Sequence, residues 1–278
     1  MPAMALPSGC LDRPRWSEAE LVARLRSGGP TLVALSGGVD SAVVAALAYE
    51  ALTAESVAVT LAGPSVSRAE VARARSVARS IGIAHEILEV DPLVRPEYRA
   101  NPPNRCYFCR QVETARLLAF GRERGIGRYL DGVHVDDLGD ERPGLRAMDE
   151  AGFSHPLLDA GWRKAEVRAV ARGRGLPNWD QPSDACLASR VAHGAPIDAE
   201  LLGRIEAAEK IVRGWGFRRV RVRVRGPSAR IEVDPDEVPR LTETPLVTEL
   251  EEQLRALGFA EVSMAPEGYR GRREAVVR

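Results

Sequence analysis

The chain has 278 residues, enough for one large domain or two domains of moderate size. Hydrophobic residues make up 45% and charged residues 28%, which excludes a disordered or fibrous chain. Lys+Arg and Asp+Glu number 39 each, and a formal net charge of zero argues against a protein whose main role is to coat nucleic acid or an anionic membrane.

Strand and helix patterns alternate through the first 90 residues. Short apolar runs predict buried strands at 31–35, 56–61 and 85–90. An alanine-rich helix is predicted at 40–52 and a second helix at 67–80. The alternation predicts an α/β, Rossmann-like domain, in which helices cover both faces of a parallel sheet and ligands bind at the carboxyl ends of its strands.

Two loops interrupt this pattern. Residues 91–110 contain four prolines and a cysteine pair, which predicts a long functional loop. A second predicted loop, 176–196, carries Cys186. Between the loops, the pattern predicts regular elements in the order helix, strand and helix, at 111–124, 128–131 and 164–174.

The pattern of predicted helices and strands changes near residue 190. An amphipathic helix is predicted at 199–215, followed by alternating strands at 219–225 and 229–233. We therefore expect two domains, a nucleotide-binding domain at 1–190 and a smaller α+β domain at 191–278.

The segment SGGVDS lies between the first predicted strand and the first predicted helix. Gly37 and Gly38 let backbone N–H groups approach an anion closely, the helix N-terminus adds a positive dipole, and the hydroxyls of Ser36 and Ser41 can donate to phosphate oxygens. The segment lacks the glycine spacing of the dinucleotide fingerprint and the lysine of the Walker loop. It resembles the pyrophosphate loop (PP-loop) of the ATP pyrophosphatase superfamily. The resemblance implies that this loop binds ATP and that Asp40 helps to hold the Mg²⁺ bound to pyrophosphate.

Three of the four cysteines lie in the two predicted loops. Cys106 and Cys109 are separated by two residues, and Cys186 lies in the second loop. If both loops rise from one edge of the sheet, the three sulfurs converge above the ATP site. Three thiolates suit an iron–sulfur cluster with one open iron, whereas a structural zinc site needs a fourth ligand such as Cys10 or a histidine. A redox pair or unconnected buried thiols would also fit these positions.

Longer motifs extend the resemblance along most of the chain. The segments NRCYFCR, DGVHVDDLGDERPGLRA, LPNWDQPSDACLASR and RVRVRGPSARIEV are similar, in this order, to the LarE family. Members of that family insert sulfur during biosynthesis of the nickel-pincer cofactor of lactate racemase. The resemblance implies an ATP-dependent sulfur transferase that adenylates a carboxylate of pyridinium-3,5-dicarboxylate mononucleotide and then replaces AMP by sulfur, giving a thiocarboxylate. It also implies a separate sulfur source and a homo-oligomer.

The same resemblance implies two possible sulfur donors. Some members sacrifice a single cysteine of the CLASR segment, which corresponds to Cys186, and are left with dehydroalanine. Others hold a [4Fe-4S] cluster on three cysteines and pass on a sulfide bound to the open iron. Because this chain has Cys106, Cys109 and Cys186, we predict the cluster type, with all three cysteines at the catalytic centre.

Five acidic residues lie at the end of the strand predicted at 128–131 or in the ten residues that follow it. They could bind Mg²⁺, or they could belong to a solvated loop. The candidates are Asp131, Asp136, Asp137, Asp140 and Glu141.

Arginines alternate with valines through 219–225, so four guanidinium groups share one face of the predicted strand. Glu232 of the next strand can pair across with one of them. From the pattern alone, the face is either a solvated charged surface or a phosphate clamp. The resemblance favours the clamp and implies that Arg221 and Arg223 bind the phosphate of the mononucleotide substrate.

Two further functions remain open at this point. Transfer-RNA-thiolating enzymes share the PP-loop and often a three-cysteine cluster, although the zero net charge argues against a stable nucleic-acid partner. The second is a non-catalytic nucleotide-binding module with a structural zinc ion. The cysteine usage, the absence of a signal-peptide pattern and the absence of a long apolar run predict a cytoplasmic protein without a membrane partner.

Overall fold

The computed structural model describes residues 15–139, 143–182 and 184–269, which form two compact units. The first unit is formed by the described residues within Met1–Gly63, Arg68–Val90 and Cys106–Ser183. The second is formed by those within Pro64–Ser67, Asp91–Arg105 and Asp184–Arg278. Across the described residues, no helix combines the length and the apolar character needed to cross a membrane. The domain division at residue 190 stays a prediction.

The strands and helices of the described residues are numbered here in chain order. The strands are β1 (Thr31–Ala34), β2 (Ser56–Ala62), β3 (Ala84–Glu89), β4 (Arg128–Leu130), β5 (Val220–Arg225), β6 (Ser228–Val233) and β7 (Glu261–Met264). The helices are α1 (Glu18–Arg26), α2 (Val39–Leu52), α3 (Arg68–Ile81), α4 (Pro96–Arg99), α5 (Arg105–Glu123), α6 (Pro143–Glu150), α7 (Pro156–Asp159), α8 (Lys164–Gly173), α9 (Ala199–Gly214), α10 (Val238–Leu241) and α11 (Thr244–Ala256).

The first unit is built on a parallel sheet with the strand order β3-β2-β1-β4. In this register Val33 of the central strand β1 lies beside Ala58 of β2 and Leu130 of β4. All three side chains are fully buried, as the apolar sequence of a parallel strand requires. The predicted α/β class with a Rossmann-like parallel sheet is confirmed.

Two apolar layers cover the sheet. One contains α2 and α8, and ten of the 14 residues of α2 are buried because its alanines let neighbouring elements pack closely on every side. The other contains α5, whose Leu117 and Phe120 pack with Leu32 of β1 and Val59 of β2. Burying both faces leaves the carboxyl ends of the strands as the accessible edge for a ligand.

The cysteine pair lies in a helix and not in a loop. After Pro103 the sequence contains no further proline until Pro143, so nothing prevents α5 from beginning at Arg105. The prediction that a loop extends through 91–110 is therefore wrong over its last residues. Cys106 lies in the first turn of α5 and Cys109 at the start of the second, and at a spacing of three residues they share one helix face.

The second unit contains a smaller mixed sheet with the strand order β5-β6-β7. β5 and β6 are antiparallel, whereas β6 and β7 are parallel. The valines of β5 face inward, and Ile205 and Val212 of α9 are buried with them. The predicted α+β character of the C-terminal region is confirmed, and β7 and α11 are additions that the sequence analysis did not predict.

The proline-rich segment 91–105 belongs to this second unit. Asn101 has a φ of 52° and is fully buried. Its side-chain amide donates to the carbonyls of Ala192 at 2.8 Å and Ala195 at 3.0 Å. The N–H of Ile197 donates to the carbonyl of Arg99 at 2.8 Å. These bonds tie the segment to the chain that follows Cys186.

Gly132, two residues after β4, packs against the start of α2 more closely than a side chain allows. A Cβ atom at this position would stand 2.6 Å from the backbone nitrogen of Ser41 and 2.8 Å from the carbonyl carbon of Asp40. We expect Gly132→Ala to lower the free energy of unfolding by about 1–3 kcal/mol, because backbone must move to accept the methyl group. Urea denaturation measures the loss.

Gly127, just before β4, is the matched control. A Cβ atom there meets nothing within 4 Å, and its φ is not positive. We expect Gly127→Ala to leave the unfolding midpoint unchanged or slightly raised, since alanine reduces the freedom of the unfolded chain. Equal losses in the two variants would show that Gly132 is not held by close packing.

Candidate active site

The SGGVDS loop connects β1 to α2, as the sequence predicts. Its two serines lie together: their hydroxyl oxygens are 3.1 Å apart, and the N–H of Ser36 donates to the hydroxyl of Ser41 at 3.2 Å. Gly38 is the N-cap of α2, and no described side chain caps the helix there. The N–H groups of the first turn and the helix dipole are therefore available to an anion.

Gly37 fixes the path of the loop. Its φ is 82°, and a Cβ atom would stand 2.9 Å from the backbone nitrogen of Ala74 and 3.0 Å from the carbonyl oxygen of Glu70, both in α3. Only glycine fits this position without displacing α3. The carbonyl of Gly37 accepts a hydrogen bond from the buried amide of Asn178 at 2.9 Å. The sequence analysis did not identify Asn178.

Asp40, in the first turn of α2, forms an ion pair with Lys164 at the start of α8. The Lys164 ammonium lies 2.7 Å and 2.6 Å from the two carboxylate oxygens, and both side chains are 27% exposed. Nε2 of His134 is 3.6 Å from the Asp40 carboxylate, and Nδ1 of His134 is buried with no hydrogen-bond partner among the described residues. The sequence analysis missed Lys164 as a site residue, although it is one of only two lysines.

Acidic residues that follow β4 have protein partners. Asp136 accepts a hydrogen bond from the backbone N–H of Lys164 at 2.9 Å, and this bond is the main cause that lowers the pKa of Asp136. Asp137 accepts from the backbone N–H of His134 at 3.0 Å. These bonds organise the loop around Lys164. Two further candidates for Mg²⁺ binding, Asp140 and Glu141, lie outside the described residues.

His155 lies between two carboxylates. Its Nδ1 is 2.7 Å from Asp131 and its Nε2 is 2.7 Å from Asp149. Both ring nitrogens donate only in the protonated imidazolium, so the geometry requires a charged His155. Burial opposes that charge, but the hydrogen bonds and charges of Asp131 and Asp149 outweigh burial and raise the pKa of His155 to about 9. Asp131 also accepts from the N–H of Val133 at 3.0 Å, which stabilises the turn containing Gly132.

The thiols of Cys106 and Cys109 are half-buried at the start of α5. The Cys109 thiol lies 3.3 Å from the Glu113 carboxylate, which also pairs with Arg110 at 2.6 Å. The charge of Glu113 is the largest cause that raises the pKa of Arg110, so this arginine is a permanent cation beside the two cysteines.

Cys186 lies in the second unit and is half-buried at the start of a 3₁₀ turn, Leu187–Arg190. Arg190 is 2% exposed and donates to the carbonyl of Cys186 at 3.1 Å. The same guanidinium group pairs with Glu209 at 2.7 Å and Asp184 at 3.2 Å. It also donates to the carbonyl of Ala185, so a buried arginine holds the backbone on both sides of Cys186.

The arginines of β5 are not a uniformly solvated row. Arg221 is 3% exposed and lies 3.2 Å from Asp184. Arg223 pairs with Glu232 at 3.0 Å, which confirms the predicted cross-strand ion pair, and it donates to the carbonyl of Ser189 at 2.9 Å. Arg221 and Arg223 are therefore both linked to the segment that contains Cys186.

The ion-pair network around Arg221 carries an excess of positive charge. Burial, followed by the like charge of Arg190, lowers the pKa of Arg221, so an anion bound at Arg221 would relieve an unfavourable charge. Among the described residues the network joins three guanidinium groups to two carboxylates: Arg190, Arg213 and Arg221 with Asp184 and Glu209. Arg223 and Glu232 form a separate pair.

The predicted three-cysteine centre is divided between the units. Cys106 and Cys109 lie in the first and Cys186 in the second. In the parts of the chain that the structure describes, no three His, Cys, Asp or Glu side chains are grouped so as to hold a metal ion. The three-cysteine cluster stays a prediction, and Cys10 lies outside the described residues.

A parallel sheet whose central strand leads through SGGVDS into a helix N-terminus defines a PP-loop nucleotide-binding protein. In agreement, a family model described as NAD synthase matches residues 22–120. The pyridinium-3,5-bisthiocarboxylic acid mononucleotide synthase of Lactiplantibacillus plantarum is 32% identical over 258 residues, which cover 92% of this chain and 92% of that enzyme. The chain therefore belongs to the LarE family, the family of that synthase.

Two other relatives show how much of the chain is similar to other proteins. A protein of Synechocystis sp. that is described as uncharacterized is 40% identical over 86% of this chain and 89% of its own length. The tRNA-specific 2-thiouridylase MnmA of Symbiobacterium thermophilum is 28% identical over 54% of this chain and 50% of its own length. The match to the synthase thus includes most of both chains, whereas the match to the thiouridylase includes about half.

The position of His155 between Asp131 and Asp149 generates a prediction about stability and pH. The folded-state pKa of about 9 lies above the ordinary value of 6.5, so the stabilisation is complete below pH 6.5 and is lost as the pH rises through 9. We expect wild type to lose up to about 3 kcal/mol of unfolding free energy from this group between pH 6 and pH 10, and His155→Gln to lose much less. Denaturant titrations across this range measure the difference.

His193 provides the control because it is an exposed histidine. His193→Gln should follow the wild-type pH dependence. Parallel curves for wild type and His155→Gln would show that His155 is not protonated between its two carboxylates.

Proposed function

We propose that the protein is an ATP-dependent sulfur transferase that converts a carboxylate of pyridinium-3,5-dicarboxylate mononucleotide into a thiocarboxylate for the nickel-pincer cofactor of lactate racemase. The observation that carries this proposal is the similarity to the pyridinium-3,5-bisthiocarboxylic acid mononucleotide synthase over 92% of both chains. The SGGVDS loop and its surroundings supply chemistry that suits the first half of the reaction.

Activation of the carboxylate comes first. A carboxylate oxygen is a poor leaving group, so ATP is used to form an acyl adenylate from which AMP departs readily. The N–H groups at the start of α2 and the hydroxyls of Ser36 and Ser41 suit the negative charge that develops on departing pyrophosphate. Asp40 offers the hard oxygen ligands that Mg²⁺ prefers, and Lys164 offers a compact cation.

The second half of the reaction needs sulfur. Cys106, Cys109 and Cys186 are half-buried thiols, and thiolates are the ligands that iron–sulfur clusters use. We therefore assign these three residues to a [4Fe-4S] cluster, which would supply a sulfide for attack on the acyl adenylate. Three ligands leave one iron free of protein. The alternative donor is Cys186 itself, which would lose its sulfur and become dehydroalanine.

Arg221 and Arg223 are the residues that we assign to the phosphate of the mononucleotide. The network of Arg221 has three positive and two negative charges among the described residues, and the pKa of Arg221 is lowered by burial and by Arg190. Arg223 forms a separate pair with Glu232. A phosphate group matches the fork of donors of a guanidinium group and would offset the excess charge. Arg190 acts through the backbone, because it holds the carbonyl of Cys186.

The chemistry of the proposed reaction bears on where the protein acts and on what it needs as a sulfur source. Thiols that bind a cluster must stay reduced, so we propose that the protein acts in the cytoplasm. A cluster that gives up sulfide needs an external sulfur source to act again. We further propose a homo-oligomer.

Transfer-RNA thiolation is the weaker candidate, because the thiouridylase match covers half of that enzyme and the net charge of this chain is zero.

The ion pair between Asp40 and Lys164 leads to a prediction about the ATP-dependent step. Lys164→Met removes the ammonium group and keeps a side chain of similar length. We expect pyrophosphate release in the presence of ATP, Mg²⁺ and the dicarboxylate mononucleotide to slow by about 100-fold, as when one donor to a developing oxyanion is lost. Lys210→Met is the matched control, because Lys210 is exposed and is the only other lysine. Equal rates in the two variants would remove Lys164 from the proposed site.

The sulfur donor can be identified by anaerobic turnover. The purified protein is incubated with ATP, Mg²⁺ and the dicarboxylate mononucleotide, and both the product and the protein are analysed by mass spectrometry. We expect a thiocarboxylate product, iron and acid-labile sulfide in the protein, and an intact Cys186. Cys106→Ala and Cys109→Ala should each abolish product, because each removes a cluster ligand.

Cys10→Ala serves as the control variant for this experiment and should retain full turnover. Conversion of Cys186 to dehydroalanine, with one product per protein and activity in Cys106→Ala, would contradict the cluster and leave the sulfur-transfer function standing. Absence of any thiocarboxylate, together with thiolation of tRNA, would contradict the proposed function itself.

A further inference from the structure

An open cavity of about 500 Å³ lies between α3 and the edge strand β3 of the first unit. This volume falls within the range of small-ligand sites. None of the residues assigned to ATP, to the sulfur donor or to the substrate lines it. The lining side chains are Arg75, Arg79, Ile83, His85 and Ile87.

The two arginines of the cavity bring positive charge without a protein counter-charge. Arg75 and Arg79 are one helical turn apart on α3, both are exposed, and neither has an ion pair or hydrogen bond with a described residue. Glu86 of β3 faces the opposite side of the sheet from His85, and it pairs there with Arg124 at 3.1 Å. The negative charge of Glu86 is therefore offset by Arg124 on the other side of the sheet and not by the arginines of the cavity.

His85 is fixed in one orientation by the sheet. The hydroxyl of Thr60 donates to the carbonyl of Leu35 at 2.6 Å, because a carbonyl can only accept. The same hydroxyl lies 2.8 Å from Nε2 of His85 and must accept from it. In the neutral ring the proton is then on Nε2 and Nδ1 is an acceptor. Burial, and then the charge of Arg75, lower the pKa of His85, so the ring is neutral near pH 7 and adds no charge of its own.

We propose that Arg75, Arg79 and His85 form a second anion site, which binds the phosphoryl group of a phosphate monoester or of inorganic phosphate. Two guanidinium groups one turn apart present several N–H donors to the oxygens of one phosphoryl group. A singly protonated phosphate can also donate its O–H to Nδ1 of His85. Ile83 and Ile87 give the cavity an apolar wall, which suits the organic part of a monoester such as a mononucleotide.

This site is independent of the sulfur-transfer reaction proposed above, because its residues take no part in that reaction. It therefore requires a local reporter of binding. The chain has four histidines, so the Hε1 resonance of His85 can be followed in an NMR spectrum and assigned with His85→Gln. Inorganic phosphate and AMP are titrated separately at constant ionic strength.

We expect both probes to shift the His85 resonance with saturation. Arg75→Gln/Arg79→Gln should weaken the binding of phosphate by at least about tenfold, because the main charge-assisted hydrogen bonds are lost. The matched control is Arg26→Gln/Arg122→Gln, which removes two exposed arginines elsewhere and changes the net charge equally. That control should change the affinity by less than about twofold.

The two probes separate the sources of the phosphoryl group. Tighter binding of AMP than of phosphate would assign the cavity to a mononucleotide, and equal binding would assign it to free phosphate. An unshifted His85 resonance with both probes, or equal weakening in the two double variants, would overturn the proposal. Circular dichroism confirms that each variant is folded before titration.

Discussion

The SGGVDS loop depends on two backbone contacts that leave no space for a Cβ atom. At Gly37 the backbone of α3 occupies that space, and at Gly132 the first turn of α2 occupies it. Together these contacts hold the loop between β1, α3 and the turn after β4. Donors whose positions are fixed in advance need little rearrangement when charge develops on a phosphate, which is what makes such a loop useful for catalysis. The sterically restricted glycines therefore connect the packing of the sheet directly to the chemistry at its carboxyl edge.

The two units place positive charge in different ways. In the first, Lys164 and His155 each have a carboxylate within hydrogen-bond distance: Lys164 has Asp40, and His155 has Asp131. In the second, the network that includes Arg221 has one cation more than it has carboxylates among the described residues. In a balanced ion pair the two charges offset each other, whereas an uncompensated buried cation carries a desolvation cost that a bound anion would offset. The first arrangement suits a metal–nucleotide complex that brings its own cation, and the second suits a bare phosphate.

The loop could be predicted from the sequence because its chemistry is local. Strand, glycines, acid and serine follow one another within a few residues, and the sheet follows from the same alternation. The partners of the loop could not be predicted, because they are remote in sequence: Lys164 lies 124 residues from Asp40, and Asn178 lies 141 residues from Gly37. The start of α5 at Arg105 was obscured by four nearby prolines, although all of them precede it. The burial of Arg221 was hidden by an alternating pattern that also fits a solvated strand face.

The identity of the cation at Asp40 bears on how the loop would work. The chain has 39 lysine and arginine residues, of which only Lys164 and Lys210 are lysine, so an arginine would be the ordinary cation in this sequence. An arginine would bind both oxygens of Asp40 through a rigid fork and would compete with Mg²⁺ for them. An ammonium group is a compact charge on a flexible stem, and its three donors can turn from a carboxylate to a phosphate. In the proposed ATP site, lysine at position 164 would thus neutralise Asp40 before the nucleotide binds and contact phosphate oxygens afterwards.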